Sequence, residues 1–450
     1  MEANMKLFFV SLGCDKNLVD SEKMLALLTS HSIEVTDEVE EAEIIIVNTC
    51  SFIHDAKEES IETILEMAQY KTEGACQSLI VTGCLAQRYA TDIQTEIPEV
   101  DAVVGTTAYD RIVEVVTECQ EGKKTCVLND LNYLPENLTE RVSSTSNYTS
   151  YLKIAEGCNK RCTYCIIPQL RGNYRSVPME ELVEEAKLLA ANGTKELIVI
   201  AQETTVYGLD LYKKKSLPEL LHKLCQIDGI EWIRLMYCYP EEITEELLVT
   251  MKEEPKICHY LDLPIQHCND EILSAMGRRT SKEDLLNIIS KIREILPDVT
   301  LRTTLISGFP GETQEQHEEC VDFVLDMRFD RLGVFPYSPE EGTKAATLGN
   351  QIEEERKHAW ADEIMETEQQ VIFNQNEDFV GQKVRVIVDG YLPEEGVYVG
   401  RTYRDAPDID GCVFIPAVYE IISGTFLNVR ITDARGYDLI GEICSEEEDE

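Results

Sequence analysis

The sequence predicts an α/β protein in three parts: an N-terminal doubly wound parallel α/β domain, a central partial (β/α)6 barrel and a small C-terminal antiparallel β-barrel. Three observations predict it. Short apolar runs alternate with stretches of helical periodicity over residues 1–140 and again over 144–376, the pattern of parallel strands joined by crossover helices. From residue 378 the runs shorten and are separated by Gly, Pro and Asp turns, as in a small barrel. Six of the 16 cysteines stand just past the ends of such runs, where α/β sheets gather ligands.

Composition narrows the function. The 450 residues allow two or three domains, and 43% are hydrophobic, enough for real cores. There are 84 acidic against 41 basic residues, a formal charge of −43. That charge argues against broad binding to nucleic acid or anionic membrane and favours a basic partner, such as a cationic protein. A merely soluble acidic surface explains it equally well. Cysteine-rich chains without a secretory signal point to a reducing compartment and to metal or redox use. Lys6–Cys14 faintly resembles a lipoprotein signal, but its apolar core is short and Ser11 stands three residues before the cysteine. No run approaches the length of a membrane-spanning helix. A cytoplasmic protein is expected.

In the first part, strands are expected over Lys6–Leu12, Glu43–Asn48, Ser78–Thr82 and Ala102–Gly105. Helices are expected over Asn17–Ser30, Ala56–Tyr70 and Tyr109–Glu121. Cys14, Cys50 and Cys84 each follow one strand, in Gly13-Cys14, Thr49-Cys50 and Gly83-Cys84. Three strands thus deliver one thiol each to the same rim, and the small residue before each lets backbone approach a bulky ligand. The trio reads as ligands of a cluster with one open iron; three unrelated buried thiols are the alternative. Cys76, Cys119 and Cys126 read as ordinary small residues in helical or loop settings. Residues 129–150, rich in Asn, Ser and Thr, read as a linker.

The central part offers strands over Tyr151–Ala155, Glu196–Ala201, Trp232–Tyr237, Tyr260–Ile265, Thr300–Ile306 and Arg331–Phe335. Helices lie between them, including Met179–Ala191, Leu217–Gln226, Ile243–Lys252, Lys282–Leu296 and Gln314–Met327. Such barrels keep their active sites at the C-terminal mouth. The loop after the first strand carries Cys158, Cys162 and Cys165, spaced C-x3-C-x2-C. Three thiolates so close suit a 4Fe–4S cluster held through three of its irons, with the fourth open for chemistry. A zinc site would need a fourth ligand from elsewhere in the fold. Gly308–Thr313, Gln202–Thr205 and Gln266-His267 also end strands at this mouth. The Gly308–Thr313 turn offers backbone amides to an anionic group, or is simply a tight turn with Glu312 favouring the helix start. His267 is as well explained as a packed, hydrogen-bonded histidine. Arg171 and Arg175 suit an acidic substrate group or plain solvated surface. Cys225, Cys238, Cys258, Cys268 and Cys320 show no ligand spacing and read as inert.

The third part, residues 378–445, has strand-like runs over Gln382–Asp389, Val397–Thr402, Gly411–Ile415, Thr425–Thr432 and Asp438–Ile443. Barrels of this kind often bind RNA through basic grooves. Here Lys383, Arg385, Arg401, Arg404, Arg430 and Arg435 are outnumbered by acids, and residues 446–450 form an acidic tail, so direct nucleic-acid binding is not expected.

Taken together, the chain resembles the methylthiotransferase branch of the radical S-adenosylmethionine (SAM) enzymes over nearly its whole length. The resemblance rests on Cys158–Cys165 with Tyr164 before the last cysteine, on Ser11–Glu22, Gln202–Thr205 and Leu301–Thr304, and above all on Gly400–Gly411. The last stretch points to the members that methylthiolate the β-carbon of an aspartate in small-subunit ribosomal protein twelve. Glu203, where Asp is expected, and Val177, where Arg is common, depart from that pattern. The resemblance implies two 4Fe–4S clusters, on Cys158, Cys162 and Cys165 and on Cys14, Cys50 and Cys84. It implies SAM as radical source and methyl donor, flavodoxin or ferredoxin as electron donor, and a TRAM domain over residues 378–445. The basic ribosomal protein is then the partner that the acidic charge suits. Related enzymes that methylthiolate a modified adenosine of tRNA are the nearest rival, and expect a basic third domain. A non-enzymatic two-cluster carrier is the rival of another class, and leaves the barrel without a purpose.

Overall fold

The computed structural model describes residues 5–135, 140–144 and 146–444; the acidic tail over 446–450 lies outside them. Its first sheet contains β1 (Met5–Ser11), β2 (Ile33–Val35), β3 (Ile44–Thr49), β4 (Ser78–Gly83), β5 (Ala102–Val104) and β6 (Thr125–Val127). The spatial order is β2-β1-β3-β4-β5-β6, every pair parallel. Alternation along β3 divides the core. Ile44 and Ile46 face helices α1 (Asp15–Ser30) and, further along, Ile112–Gln120, through Met24, Leu28 and Val115. Ile45 and Val47 face α2 (His54–Glu73) and α3 (Cys84–Glu96), through Ile64, Leu85 and Ile93. Helices on both faces make a doubly wound sheet, and its order reverses between β1 and β3.

The second sheet contains β7 (Thr149–Lys153), β10 (Glu196–Ile200), β11 (Trp232–Leu235), β12 (Ile257–Asp262), β13 (Thr300–Ser307) and β14 (Arg331–Pro336), with a small pair, β8 (Ala155–Glu156) and β9 (Arg175–Ser176), beside it. The six strands run parallel in sequence order, forming the partial barrel. Leu197 and Val199 of β10 pack outward under the helices. Ile198 and Ile200 point the other way, into a cluster with Val19 of α1 and with Ile387 and Ala406 of the C-terminal part. The open interior of the barrel is thus covered by both neighbours.

The last five strands, β15 (Lys383–Leu392), β16 (Val397–Thr402), β17 (Val413–Pro416), β18 (Phe426–Arg435) and β19 (Asp438–Ile443), close into a barrel in the order β15-β16-β17-β19-β18. One pair, β17 with β19, runs parallel, so the expected antiparallel barrel is antiparallel except at that seam. Closure removes the sheet edges.

Five further features differ from the sequence expectation. Helix α3 and the 24-residue helix Glu354–Glu377 were not legible, because their apolar stripes are thin: small alanines in the first, scattered Trp360, Ile364 and Ile372 among acids in the second. Strands β2 and β6 are three residues each, too short for alternation to register. Cys126 lies on β6, in a strand where a helix or loop was expected. Among the described residues, no helix is long and apolar enough to cross a membrane.

Candidate active site

Cys14, Cys50 and Cys84 stand at the C-terminal ends of β1, β3 and β4, around the point where the strand order reverses. Gly13 has φ +90°, and a Cβ there would lie 2.8 Å from Cys50 Cβ and 3.1 Å from its Sγ, so glycine is what allows the two loops to meet. Gly83, at φ +93°, would drive a Cβ to 2.3 Å from Asn48 Oδ1 and 2.5 Å from the Thr49 carbonyl. Side-chain amides tie the loops together. Asn17 Nδ2 donates to the carbonyls of Leu12 (3.1 Å) and Thr49 (2.9 Å), and Asn48 Nδ2 donates to the Asn17 carbonyl at 2.9 Å. Burial pushes the Cys50 thiol up to about 12, with Cys84 and Cys14 adding to it, and burial raises Cys84 as well. Three thiolates here therefore need a cationic group to share them.

The second trio sits on the loop after β8. Gly157, at φ +78°, lies so close to the Gly172–Asn173 backbone that a Cβ would come within 2.3 Å of the Asn173 carbonyl. The loop is pinned by Cys158 N donating to Gly172 O (3.2 Å) and Thr163 N donating to Met276 O (2.8 Å). Burial pushes Cys158 up to about 11 and Cys165 higher still. Tyr239 Oη is 4.0 Å from Cys162 Sγ, and its ring lies under the Arg278 guanidinium at 4.4 Å. Lys160 pairs with Glu242, with Glu241 at 3.3 Å and with Glu203 at 3.5 Å. Burial raises Glu203 to about 7, and among the described residues its Oε2 accepts no hydrogen bond.

In neither trio do the three sulfurs all lie within 4.8 Å of one another; among the described residues the group that tight is His267, Cys268 and Cys320. Tetrahedral zinc with Zn–S of about 2.3 Å needs sulfurs about 3.8 Å apart.

A buried polar core joins the two trios. Arg171 Nη1 donates to Asp20 Oδ2 of α1 at 2.8 Å and to Glu156 Oε2 at 3.3 Å. Lys153 Nζ pairs with the same Asp20 and donates to Glu156 at 2.8 Å. Arg171 also donates to Asn17 Oδ1, the atom that the Cys84 thiol faces at 3.9 Å, and its charge opposes the upward shift of that thiol. Gln202 Nε2 closes the set on Glu156 Oε1 at 2.8 Å. Burial alone would raise the Glu156 carboxyl, but Lys153 and Arg171 beside it hold it well below the usual range. Beside this core, Cys84 packs on Ile166 and Leu170, the residues that follow Cys165. The two cysteine loops therefore meet across one interface.

The remaining sequence candidates divide. Arg171 is neither surface nor free for substrate; it is buried in the core just described. Arg175 donates to the backbone carbonyls of Arg171 and Asn173 and braces the loop. In the Gly308–Thr313 turn, Glu312 turns back onto Phe309 N at 2.9 Å and Thr313 caps the next helix, the tight-turn alternative. His267 is fully buried: Asn269 N donates to Nδ1 at 3.0 Å, and Nε2 lies 3.2 Å from Glu312. Cys268 and Cys320, read as isolated, lie Sγ to Sγ at 3.2 Å beside His267. Fifty-two residues separate them, so no spacing could reveal the pair. Sequence reasoning also missed Lys16, Asn17, Asp20, Lys153 and Tyr237, all at the interface. The available signal was a run of polar residues, Lys16, Asn17, Asp20, Ser21 and Glu22, on a helix that packs into a core.

The stretch Gly400–Gly411 clamps the third part to the barrel. Arg401 lies between Glu196 (2.8 Å) and Asp389 (2.8 Å), Arg331 pairs with Asp405, and Tyr260 Oη donates to Asp410 at 2.7 Å. Arg401 and Arg404 are thus consumed by docking.

Residues 6–105 match the uncharacterized protein family UPF0004, 152–324 the radical SAM superfamily and 380–444 the TRAM domain. The ribosomal protein uS12 methylthiotransferase RimO of Lachnoclostridium phytofermentans is 60% identical over 437 residues, 97% of this chain and 99% of that one. The RimO of Clostridioides difficile is 49% identical over 98% of this chain and 99% of its own. The chain belongs to the RimO family. Its superfamily membership brings SAM and an iron–sulfur cluster. The radical SAM methyltransferase TsrM of Kitasatospora setae, solved with cobalamin and a [4Fe-4S] cluster, shares the fold at a TM-score of 0.54 and 16% identity, over 76% of this chain and 77% of its own. RimO relatives thus set the family, and TsrM the fold alone.

Proposed function

We propose that this RimO-family transferase adds a methylthio group to the β-carbon of an aspartate in ribosomal protein uS12. The observation that carries the proposal is the pair of cysteine trios, brought by two different sheets to one interface and joined by the Arg171 core. In this reading Cys158, Cys162 and Cys165 hold one 4Fe–4S cluster and Cys14, Cys50 and Cys84 a second. When bound, the clusters and SAM supply the one-electron chemistry that takes hydrogen from an unactivated carbon, and the sulfur that replaces it.

The chain's own residues provide the rest. Gly13, Gly83 and Gly157 let backbone approach where a Cβ would collide. Arg171 and Lys153 balance Asp20 and Glu156 between the sites, so the interface holds its charges in pairs. Val19, Ile387 and Ala406 cover the barrel interior and keep water out. An acidic surface of formal charge −43 suits a basic ribosomal substrate. With Arg401 and Arg404 committed to docking, the third part offers RNA little of a basic groove. The reading places the enzyme in the cytoplasm, served by flavodoxin or ferredoxin.

Reconstituted protein given dithionite and SAM is expected to release 5′-deoxyadenosine and to add a methylthio mass to uS12. Peptide mass spectrometry of uS12 from a deletion strain decides the substrate: the modification persisting there sinks the assignment.

A further inference from the structure

Among the described residues, the interface between the trios holds one buried ammonium, Lys16, with no carboxylate at ion-pair distance. Arg171 and Lys153 share Asp20 and Glu156, two charges of each sign. Asp262 is occupied by Arg302 Nη1 (2.8 Å) and by Tyr237 N (2.9 Å). Asp15 accepts the Tyr237 hydroxyl at 2.9 Å and is partly exposed to solvent. Lys16, two residues past Cys14, is 5% exposed, and among the described residues no carboxylate lies within 4.0 Å of its Nζ. What it touches is the ring of Tyr237, 2.8 Å from the centroid.

Tyr237 follows β11 at the mouth of the barrel and holds φ +61°, a left-handed conformation costly for a bulky residue. That strain turns its ring beneath the ammonium. A cation lying on an aromatic face is stabilised on one side and keeps its donors on the other. A buried ammonium without a counter-ion is expensive unless an anion completes it. Helix α1 begins beside it at Asp15, with Cys14 as an N-cap that makes no side-chain hydrogen bond, so the positive end of a 16-residue helix adds to the same potential.

We infer that Lys16, seated on Tyr237 between the two cysteine trios, is the receptor for the carboxylate of the substrate aspartate. The inference rests on the proposed function and deepens it. A carboxylate salt-bridged to Lys16 holds the β-carbon one bond away, at the interface where the two cysteine loops meet. It also gives the enzyme a reason to prefer aspartate over asparagine, whose neutral amide leaves the buried ammonium unpaired.

The test uses reconstituted enzyme with uS12 and with a uS12 variant whose target aspartate is replaced by asparagine. Wild type, Lys16→Met and Lys16→Arg are compared at matched iron content and matched circular dichroism. Wild type is expected to bind the aspartate form at least about tenfold more tightly than the asparagine form. Lys16→Met is expected to bind both alike, with KM for uS12 raised about tenfold or more, and Lys16→Arg to restore most of the discrimination. Discrimination that persists in Lys16→Met, or that wild type lacks, overturns the inference while methylthiolation by wild type still upholds the function. Wild type that leaves uS12 unmodified overturns both.

Discussion

Arg171, at the end of the barrel's cysteine loop, donates to Asp20 on the first helix across 2.8 Å and 151 residues of chain. Both side chains are buried, and the same guanidinium reaches Glu156 and Asn17. One side chain thus holds the two cysteine loops in register. Removing one member of a buried ion pair leaves the other uncompensated, at about 3–5 kcal/mol. Arg171→Leu is expected to lose that much stability in urea unfolding and to retain less iron than wild type. Unchanged stability and full iron content would remove this residue from the interface argument.

The two trios are expected to fail differently. Cys162→Ala should abolish 5′-deoxyadenosine formation, because under the proposed function it removes a ligand of the radical-generating cluster. Cys50→Ala should leave SAM cleavage running and abolish methylthiolation of uS12. Nucleoside release followed by chromatography, with uS12 mass alongside, separates the two. A Cys50→Ala enzyme with its barrel cluster intact that still methylthiolates would end the two-cluster reading.

Gly83 is a steric requirement as well as a flexible residue. A Cβ on it would overlap Asn48 Oδ1 and the Thr49 backbone at a φ of +93°. Gly83→Ala is expected to cost at least about 2 kcal/mol and to disturb the Cys84 loop, read by thermal unfolding and iron stoichiometry. Gly122→Ala is the internal control: it shares a positive φ, +76°, but would meet nothing within 4 Å.

Glu368 carries a pH signature away from the clusters. It lies on the Glu354–Glu377 helix, accepts the Tyr437 hydroxyl at 3.1 Å, and is raised to about 7 by burial. The folded protein therefore binds this proton more tightly than the unfolded chain. Its contribution is intact below about pH 4.5 and is lost as pH rises toward 7. Glu368→Gln should match wild type at pH 4 and exceed it at pH 8 by up to about 3 kcal/mol. Urea unfolding of both proteins at the two pH values checks it; a pH-independent difference would contradict the assignment.

The sequence by itself determined the three-part α/β architecture. It also marked Cys14, Cys50, Cys84, Cys158, Cys162 and Cys165 as the candidate cluster ligands, the assignment that the proposed function uses. Both rest on local regularities: strand and helix periods, cysteines at strand ends, a tight C-x3-C-x2-C loop. Tertiary structure decided what those regularities do not encode. Arg171 read as a surface or substrate-facing arginine until Asp20 and Glu156 closed around it. Cys268 and Cys320 meet only because the loop after β12 and a later helix pack together. Gly400–Gly411 marked the family in sequence, but its work as a clamp depends on Glu196, Arg331 and Tyr260 from three barrel strands. Lys16 looked like one polar residue in a polar helix start, and only Tyr237 from the facing barrel shows that its ammonium is buried against an aromatic ring. Pairing across distant segments is set by packing and by desolvated charge, and neither leaves a periodic trace in the chain.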